Sequence, residues 1–345
     1  MENTGVFFNI NFDGTKFSLE APSSLSKLLW QVARQIKYSK PVSNLNLFHN
    51  DRLVKTMLSY KNLLESPGEL NILIKEKENL WNSLSPSIMC ISKNYIMWYT
   101  YSLLPGRLEN LLIPSHSVCF TFNKSFPRII CADQHWEFNT SSYTIIRKAP
   151  MQTCRYYFAS ILIEDFIYTF GGVNKEGYTT DSERYSYETD TWTYIENCPL
   201  PGRSGMSTAN WANLYIFLFG GFDGLEYSSK IDKYCIYSGD WYSISLSLPI
   251  HTQYLGAFET GRGILLFGGK NNKDYYLFSP EEEIIIKLGA LTNAVPLRFS
   301  QNPILINSEY FIVNQSMNVL QYDLDSESWK NGFDFYNLNE INSNP

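Results

Sequence analysis

Histidine is scarce. Four occur in 345 residues, at His49, His116, His135 and His251, with no spacing suited to a metal ion or a Ser/His catalytic set. The six cysteines (Cys90, Cys119, Cys131, Cys154, Cys198, Cys235) are scattered without a Cys-x-x-Cys. No structural metal or cofactor is therefore expected, and reduced thiols in a cytoplasmic protein are. Basic charge is in deficit: 28 Lys and Arg against 34 Asp and Glu give a net charge of −6. That argues against a nucleic-acid backbone as partner. The longest apolar run, about Leu214–Phe219, is far too short to span a membrane. No apolar stretch follows a basic start, so no secretory signal is expected.

Catalytic sets are also missing. Gly202-Arg203-Ser204-Gly205 is not a nucleophile elbow, because Met206 stands where that turn needs glycine. Asp323, Asp325 and Glu327 alternate like a calcium loop, but Ser328 occupies the glycine place and the stretch reads as a turn between strands. Glu281-Glu282-Glu283 follows Pro280 and reads as a charged hairpin turn.

Aromatics are abundant, with 24 Tyr, 22 Phe and 8 Trp, and suit a β-rich core. Three segments end alike, in Phe170-Gly171-Gly172, Phe219-Gly220-Gly221 and Phe267-Gly268-Gly269. The glycine pairs lie 49 and 48 residues apart, a period that marks a repeat architecture. Each pair follows two strand-like runs: Ala159–Ile163 with Phe166–Phe170, Thr208–Ala212 with Leu214–Phe219, and Ala257–Thr260 with Ile264–Phe267. A glycine pair after a buried strand allows positive φ and close approach of neighbouring chain. Tyr185 and Tyr234 each precede a Trp, Trp192 and Trp241, by seven positions; the indole can wedge between adjacent sheets. One four-stranded unit cannot bury both faces alone, so neighbours must stack.

These glycine pairs, the Tyr-x6-Trp step, Gly220-Gly221-Phe222-Asp223-Gly224 and the link Pro199-Leu200-Pro201-Gly202-Arg203-Ser204-Gly205 resemble kelch repeats, which implies a β-propeller. The strongest units run 151–201, 202–249 and 250–296. Weaker copies continue the pattern. Ala132-Asp133 stands in the glycine place and Trp136/Tyr143 keeps the seven-residue step. Leu277/Ile284 holds the step in the third strong unit. Asn314-Gln315 replaces the last glycine pair before Tyr322/Trp329. Hairpins near 90, 120, 165, 215, 262 and 308 make six blades over 87–340, ahead of a tail at 341–345. Either the stretch with Trp81 or the segment Phe333–Leu338 supplies the closing strand.

Residues 1–76 read differently. Strands at Val6–Phe12 and Lys16–Glu20 flank an Asp13-Gly14 turn. Pro22-Ser23-Ser24 offers an N-cap, and Leu25, Leu28, Leu29, Val32 and Ile36 follow at helical spacing. Strands at Leu45–Phe48, Arg52–Val54 and Leu70–Lys75 complete an order that resembles ubiquitin-like β-grasp domains. There is no terminal Gly-Gly; the chain runs on through Lys75-Glu76-Lys77-Glu78 into a linker at 77–86. Leu47 and Leu73 are candidates for an apolar docking patch or for ordinary core. The fold expected is mainly β: a six-bladed kelch-type propeller behind a small α+β ubiquitin-like domain.

The kelch resemblance implies a non-enzymatic adaptor that binds a protein or peptide, with the β-grasp domain docking a second partner and a tie to ubiquitin pathways. Propeller-channel enzymes and cytoskeletal cross-linkers are the competing classes. It points to the links at Arg155, Arg203 and His251, and to the loops after the glycine pairs: Asn174 and Lys175, Phe222 and Asp223, Lys270 and Asn271. An arginine fork suits a carboxylate, so an acidic peptide is expected; the other reading is that Arg155 and Arg203 tie blades together.

Overall fold

A computed structural model describes residues 7–50, 52–54, 57–64, 69–76, 87–92, 95–100, 105–109, 118–120, 128–139, 142, 144–291, 303–306, 308–313 and 319–330. The expected linker, Tyr143, Asn314-Gln315 and both candidate closing strands lie outside them.

The described residues of the N-terminal unit form one mixed sheet with two α-helices. Strands β1 (Phe7–Phe12) and β2 (Thr15–Glu20) form a hairpin. Helix α1 (Leu25–Gln35) follows, capped by Ser24, whose Oγ accepts the Lys27 N–H at 3.1 Å. Then come β3 (Leu45–His49), β4 (Arg52–Leu53), helix α2 (Met57–Leu64) and β5 (Glu69–Glu76). The sheet order is β2-β1-β5-β3-β4, with β1 and β5 parallel. The spacing of Leu25, Leu28, Leu29 and Val32 puts all four on the buried side of α1. Helix α2 was not foreseen; its Tyr60 is fully buried and donates to Pro22 O at 2.7 Å.

Six sheets follow in succession. The first is β6 (Ser87–Ser92), β7 (Tyr95–Thr100) and β8 (Pro105–Glu109). The second is β9 (Val118–Phe120), β10 (Arg128–Cys131), β11 (Gln134–Asn139) and β12 (Thr144–Lys148). The third holds β13 (Ala159–Ile163), β14 (Phe166–Phe170), β17 (Ser182–Ser186) and β18 (Thr191–Tyr194), with a small hairpin, β15 (Val173–Asn174) and β16 (Gly177–Tyr178), rising from its middle loop. The fourth is β19 (Ser207–Trp211), β20 (Tyr215–Phe219), β21 (Ile231–Cys235) and β22 (Trp241–Ser243). The fifth is β23 (Leu255–Glu259), β24 (Ile264–Gly268), β25 (Asp274–Ser279) and β26 (Ile284–Ala290). The sixth is β27 (Ile304–Ile306), β28 (Glu309–Val313), β29 (Val319–Asp323) and β30 (Ser328–Lys330). Each is an antiparallel meander in chain order.

The first two glycine pairs join neighbouring sheets. Gly172 N donates to Arg203 O, and Gly221 N to Thr252 O, both at 2.8 Å. A second chain of bonds runs through the strand entries: Gly205 N to Tyr157 O and Tyr254 N to Gly205 O, both 2.9 Å. All three of those residues are left-handed, with φ of 55°, 63° and 58°.

The Tyr/Trp steps are cross-strand pairs: Tyr185 faces Trp192, Tyr234 faces Trp241, and Tyr322 faces Trp329. Each indole lies against the preceding sheet. Trp192 Nε1 donates to Ala149 O at 3.0 Å, Trp241 Nε1 to Glu196 O at 3.1 Å, and Trp329 sits 4.9 Å from the Phe267 ring. Two weaker steps are corrected. In the fifth sheet the residue facing the Tyr-place strand partner is Phe278, not Leu277, and it pairs with Ile285, not Ile284. Phe278 meets Phe217 and Phe219 of the fourth sheet. In the second sheet Trp136 pairs with Arg147, and the seven-residue pair is Phe138 with Ile145. Since strand side chains alternate in direction, a slip of one residue moves a side chain to the other face.

The two units share one core. Phe8, Leu28, Trp30 and Tyr60 of the first belong to the same buried cluster as Trp211, Phe217, Leu266 and Phe278 of the second. The contact falls on the hairpin turns of sheets four to six. Gly261 N donates to Ser39 O at 2.9 Å, Trp30 Nε1 to Arg262 O at 3.4 Å, and Ser39 Oγ to Asp325 at 2.8 Å. The buried Glu259 carboxylate accepts Ser43 N at 3.0 Å and Ala212 N at 2.9 Å through one oxygen. Gly261 allows no side chain: a Cβ would stand 1.7 Å from Tyr38 O.

His135 is fully buried between sheets two and three, edge-on to Tyr185 at 4.5 Å. Burial, reinforced by Arg128, pushes its pKa down to about 3, so the folded ring stays neutral. The unfolded ring takes a proton below about 6.5. Stability from this residue is therefore intact above that pH and lost as pH falls toward about 3, roughly tenfold in the folding equilibrium per unit. Urea melts at stepped pH should show this extra loss in the natural chain and not in His135→Phe; parallel pH curves would refute it.

Candidate functional site

The meander divides each sheet into two ends. Hairpin turns, such as Glu164-Asp165 and Gly261–Gly263, lie at one end. Middle loops and the links between sheets lie at the other. The N-terminal unit occupies the turn end of sheets four to six. Every link and loop residue singled out in the sequence lies at the loop end.

Arg155 and Arg203 do not face a partner there. They are 0% and 2% exposed. Arg155 donates to Gly171 O at 3.1 Å, to Asp181 O and to Thr169 Oγ1 at 2.8 Å, and pairs with the buried Glu183 at 3.4 Å. Arg203 donates to Gly220 O at 2.7 Å and ion-pairs with Asp232. Each fork pins the middle loop of its own sheet, so these arginines serve the scaffold rather than a partner's carboxylate. Burial also lowers the Arg155 pKa, against the opposing pull of Glu183. The equivalent of Arg203 in the next sheet is Thr252, which accepts the glycine-pair bond, not His251. His251 is exposed and its Nδ1 lies 3.0 Å from Tyr227 O.

The loop residues divide into turn-makers and surface. Asn174 Oδ1 accepts Glu176 N and Gly177 N at 2.8 and 3.1 Å, shaping the β15–β16 hairpin. Asp223 Oδ1 accepts Leu225 N and Glu226 N at 2.8 and 2.9 Å, and those two amides hold its pKa below the usual range. Asn271 takes a left-handed turn at φ 60°, and its neighbour Asn272 pins the loop through Gly268 O at 2.7 Å. Lys175 and Lys270 are exposed.

Phe222 belongs to an aromatic rail that crosses three sheets. Tyr178, on β16, packs edge-on to Phe222 at 5.7 Å; Phe222 meets Tyr227 at 5.2 Å. Lys270 Nζ stands 4.9 Å from the Tyr227 ring and bonds its hydroxyl. Leu225, 93% exposed, projects from the turn beside them. Gly224 makes room for the Tyr178 ring, which a Cβ would meet at 2.6 Å. Behind the rail, burial pushes the Tyr254 hydroxyl up to about 12. The sequence reading missed Tyr178, Leu225 and Tyr227. Their signal is an apolar or aromatic side chain placed in a loop after a glycine pair.

In the N-terminal unit, Leu47 is buried core, not a docking residue. Leu73 is half-buried and lines an open groove of about 660 Å³ with Asn9, Asn11, Lys16 and Phe17. Among the described residues no group of three or more His, Cys, Asp and Glu converges, and no described helix is long and apolar enough to cross a membrane.

Residues 154–199 match the Kelch motif. The chain is also 26% identical over 158 residues to an F-box/kelch-repeat protein of Arabidopsis thaliana, and 26% over 170 residues to Kelch-like protein 41b of Danio rerio. These matches support a kelch-repeat protein. They cover 45% and 49% of this chain, but only 41% and 28% of those relatives' own lengths. The match at 154–199 holds Arg155, the first glycine pair and the Tyr185/Trp192 step together.

Replacing Arg203 by Ala leaves the Asp232 carboxylate buried without its cation, which costs about 3–5 kcal/mol. A melt of Arg203→Ala should show a large drop in stability. An unchanged melting temperature would contradict the internal role.

Proposed function

We propose that this protein is a non-enzymatic interaction adaptor, and that the rail of Tyr178, Phe222, Tyr227 and Lys270 with Leu225 receives a protein or peptide partner. The observation that carries this is the exposed apolar surface at the loop end, on a face the N-terminal unit leaves open. Aromatic anchors are what interface cores favour, and a lysine beside them suits the polar rim. Lys270 offers its charge to an acidic residue of the partner, with Lys175 and His251 exposed at the same end. The kelch-repeat relatives agree with a binding role.

The architecture belongs to the same proposal. Six successive meanders, with backbone bonds from the third sheet to the fourth and from the fourth to the fifth, support a six-bladed propeller over 87–340, closed between the sixth and first sheets. The order β2-β1-β5-β3-β4, with parallel β1 and β5 and a helix after the first hairpin, supports a ubiquitin-like β-grasp domain over 1–76. Leu73 and its groove are the place where that domain would dock a second partner. A cytoplasmic setting and a ubiquitin-pathway tie complete the proposal. The tie rests on the β-grasp resemblance and on the F-box in one relative's name.

The test is quantitative affinity capture from cell extract with the natural chain and with Leu225→Asp/Lys270→Glu. These two exposed changes should alter the folding stability by no more than about 1 kcal/mol and remove the specific partners. Full retention of those partners by the variant would end the assignment of the rail.

A further inference from the structure

The outermost strand of the fifth sheet differs from its counterparts. β26 runs seven residues, Ile284–Ala290, whereas β12 has five, β18 four, and β22 and β30 three each. Those shorter strands expose at most one large apolar side chain each, Ile146, Tyr194 or Tyr242, beside Thr144 and Arg147, Thr191 and Thr193, or Ser328 and Lys330. β26 instead exposes Ile284, Ile286 and Leu288, at 41%, 49% and 39%. Among the described residues it closes its sheet, bonded to β25 on one side alone. A long apolar edge with free backbone groups is a template for another strand, and proteins commonly blunt such edges with short or charged strands. Here the only interruption is a bulge, where Leu288 is the extra residue between the pairs Tyr276–Lys287 and Tyr275–Gly289. It leaves 284–287 as a regular strand.

We propose that β26 is a homodimer interface, pairing antiparallel with β26 of a second copy. The strand's own sequence argues for this occupant. An antiparallel pair centred on Ile285 places Ile284 opposite Ile286 in both directions, so the exposed isoleucines cover each other. The same register brings Glu283, at the mouth of the strand, opposite Lys287. Lys287 holds Asp274 at 2.6 Å, yet its side chain is 56% exposed, and an ammonium has three donors to share. Apolar and opposite-charge cross-strand pairs are both stabilising. The arrangement is self-complementary, as a two-fold interface requires. The rail includes none of these side chains, and Arg34 of the N-terminal unit stops at the neighbouring Glu282, 3.1 Å away, so dimerisation would present two rails on one particle.

Sedimentation velocity on the full chain from low to high micromolar tests it. A concentration-dependent dimer is expected. Ile286→Lys, a charge on the edge, should give a monomer with an unchanged melting temperature. Glu283→Lys, outside the strand, sets lysine against lysine and should weaken association about tenfold. A natural chain that stays monomeric throughout, or a folded Ile286→Lys that still dimerises, overturns the proposal. So does a dimer that Glu283→Lys leaves untouched.

Discussion

The glycine pairs Gly171-Gly172 and Gly220-Gly221 sit where one sheet's backbone touches the next. The first glycine of the pair takes φ near +60° and lies under the next link: a Cβ on Gly171 would stand 2.6 Å from Arg203 O, and one on Gly220 2.4 Å from Thr252 O. The second donates its N–H to that same carbonyl. A side chain would separate the two backbones and break the bond. The left-handed entries Tyr157, Gly205 and Tyr254 repeat the contact one step further along. The indoles then fill the space that opens between sheets. Arg155 and Arg203 hold the middle loops of the third and fourth sheets in the shape that keeps their glycines in place.

This constraint explains what could be read from residues alone. Glycine has one common reason to recur at a fixed period after an apolar strand, so the third, fourth and fifth sheets were legible at once. The N-terminal elements were legible because helix and strand periods alternate cleanly there, with α2 lost in a short stretch of weaker pattern. The seven-residue step was legible where Tyr and Trp mark it. In the second and fifth sheets it survives as Phe138/Ile145 and Phe278/Ile285, types that fit any buried strand, and the neighbouring pair read equally well.

The site was harder to read, because a link arginine looks the same whether it grips a loop or a ligand. Burial decides between the two, and burial of Arg155 depends on Glu183, 28 positions along the chain. Likewise nothing local reveals that Gly261 must admit Tyr38, or that Glu259 receives amides from both units. The N-terminal unit covers the turn end of sheets four to six, and in the proposed reading recognition falls to the loops at the other end. There the turn-makers Asn174 and Asp223 shape the backbone, and Tyr178, Phe222 and Tyr227 supply the surface.

Native-state hydrogen exchange at Gly172 and Gly221 tests the central claim most directly. Both amides lie in loops, where exchange is ordinarily fast. If they bridge adjacent sheets, they should be protected to the same degree as the buried strands β14 and β20 and open only with global unfolding. Exchange at the rate of an exposed loop would contradict the account.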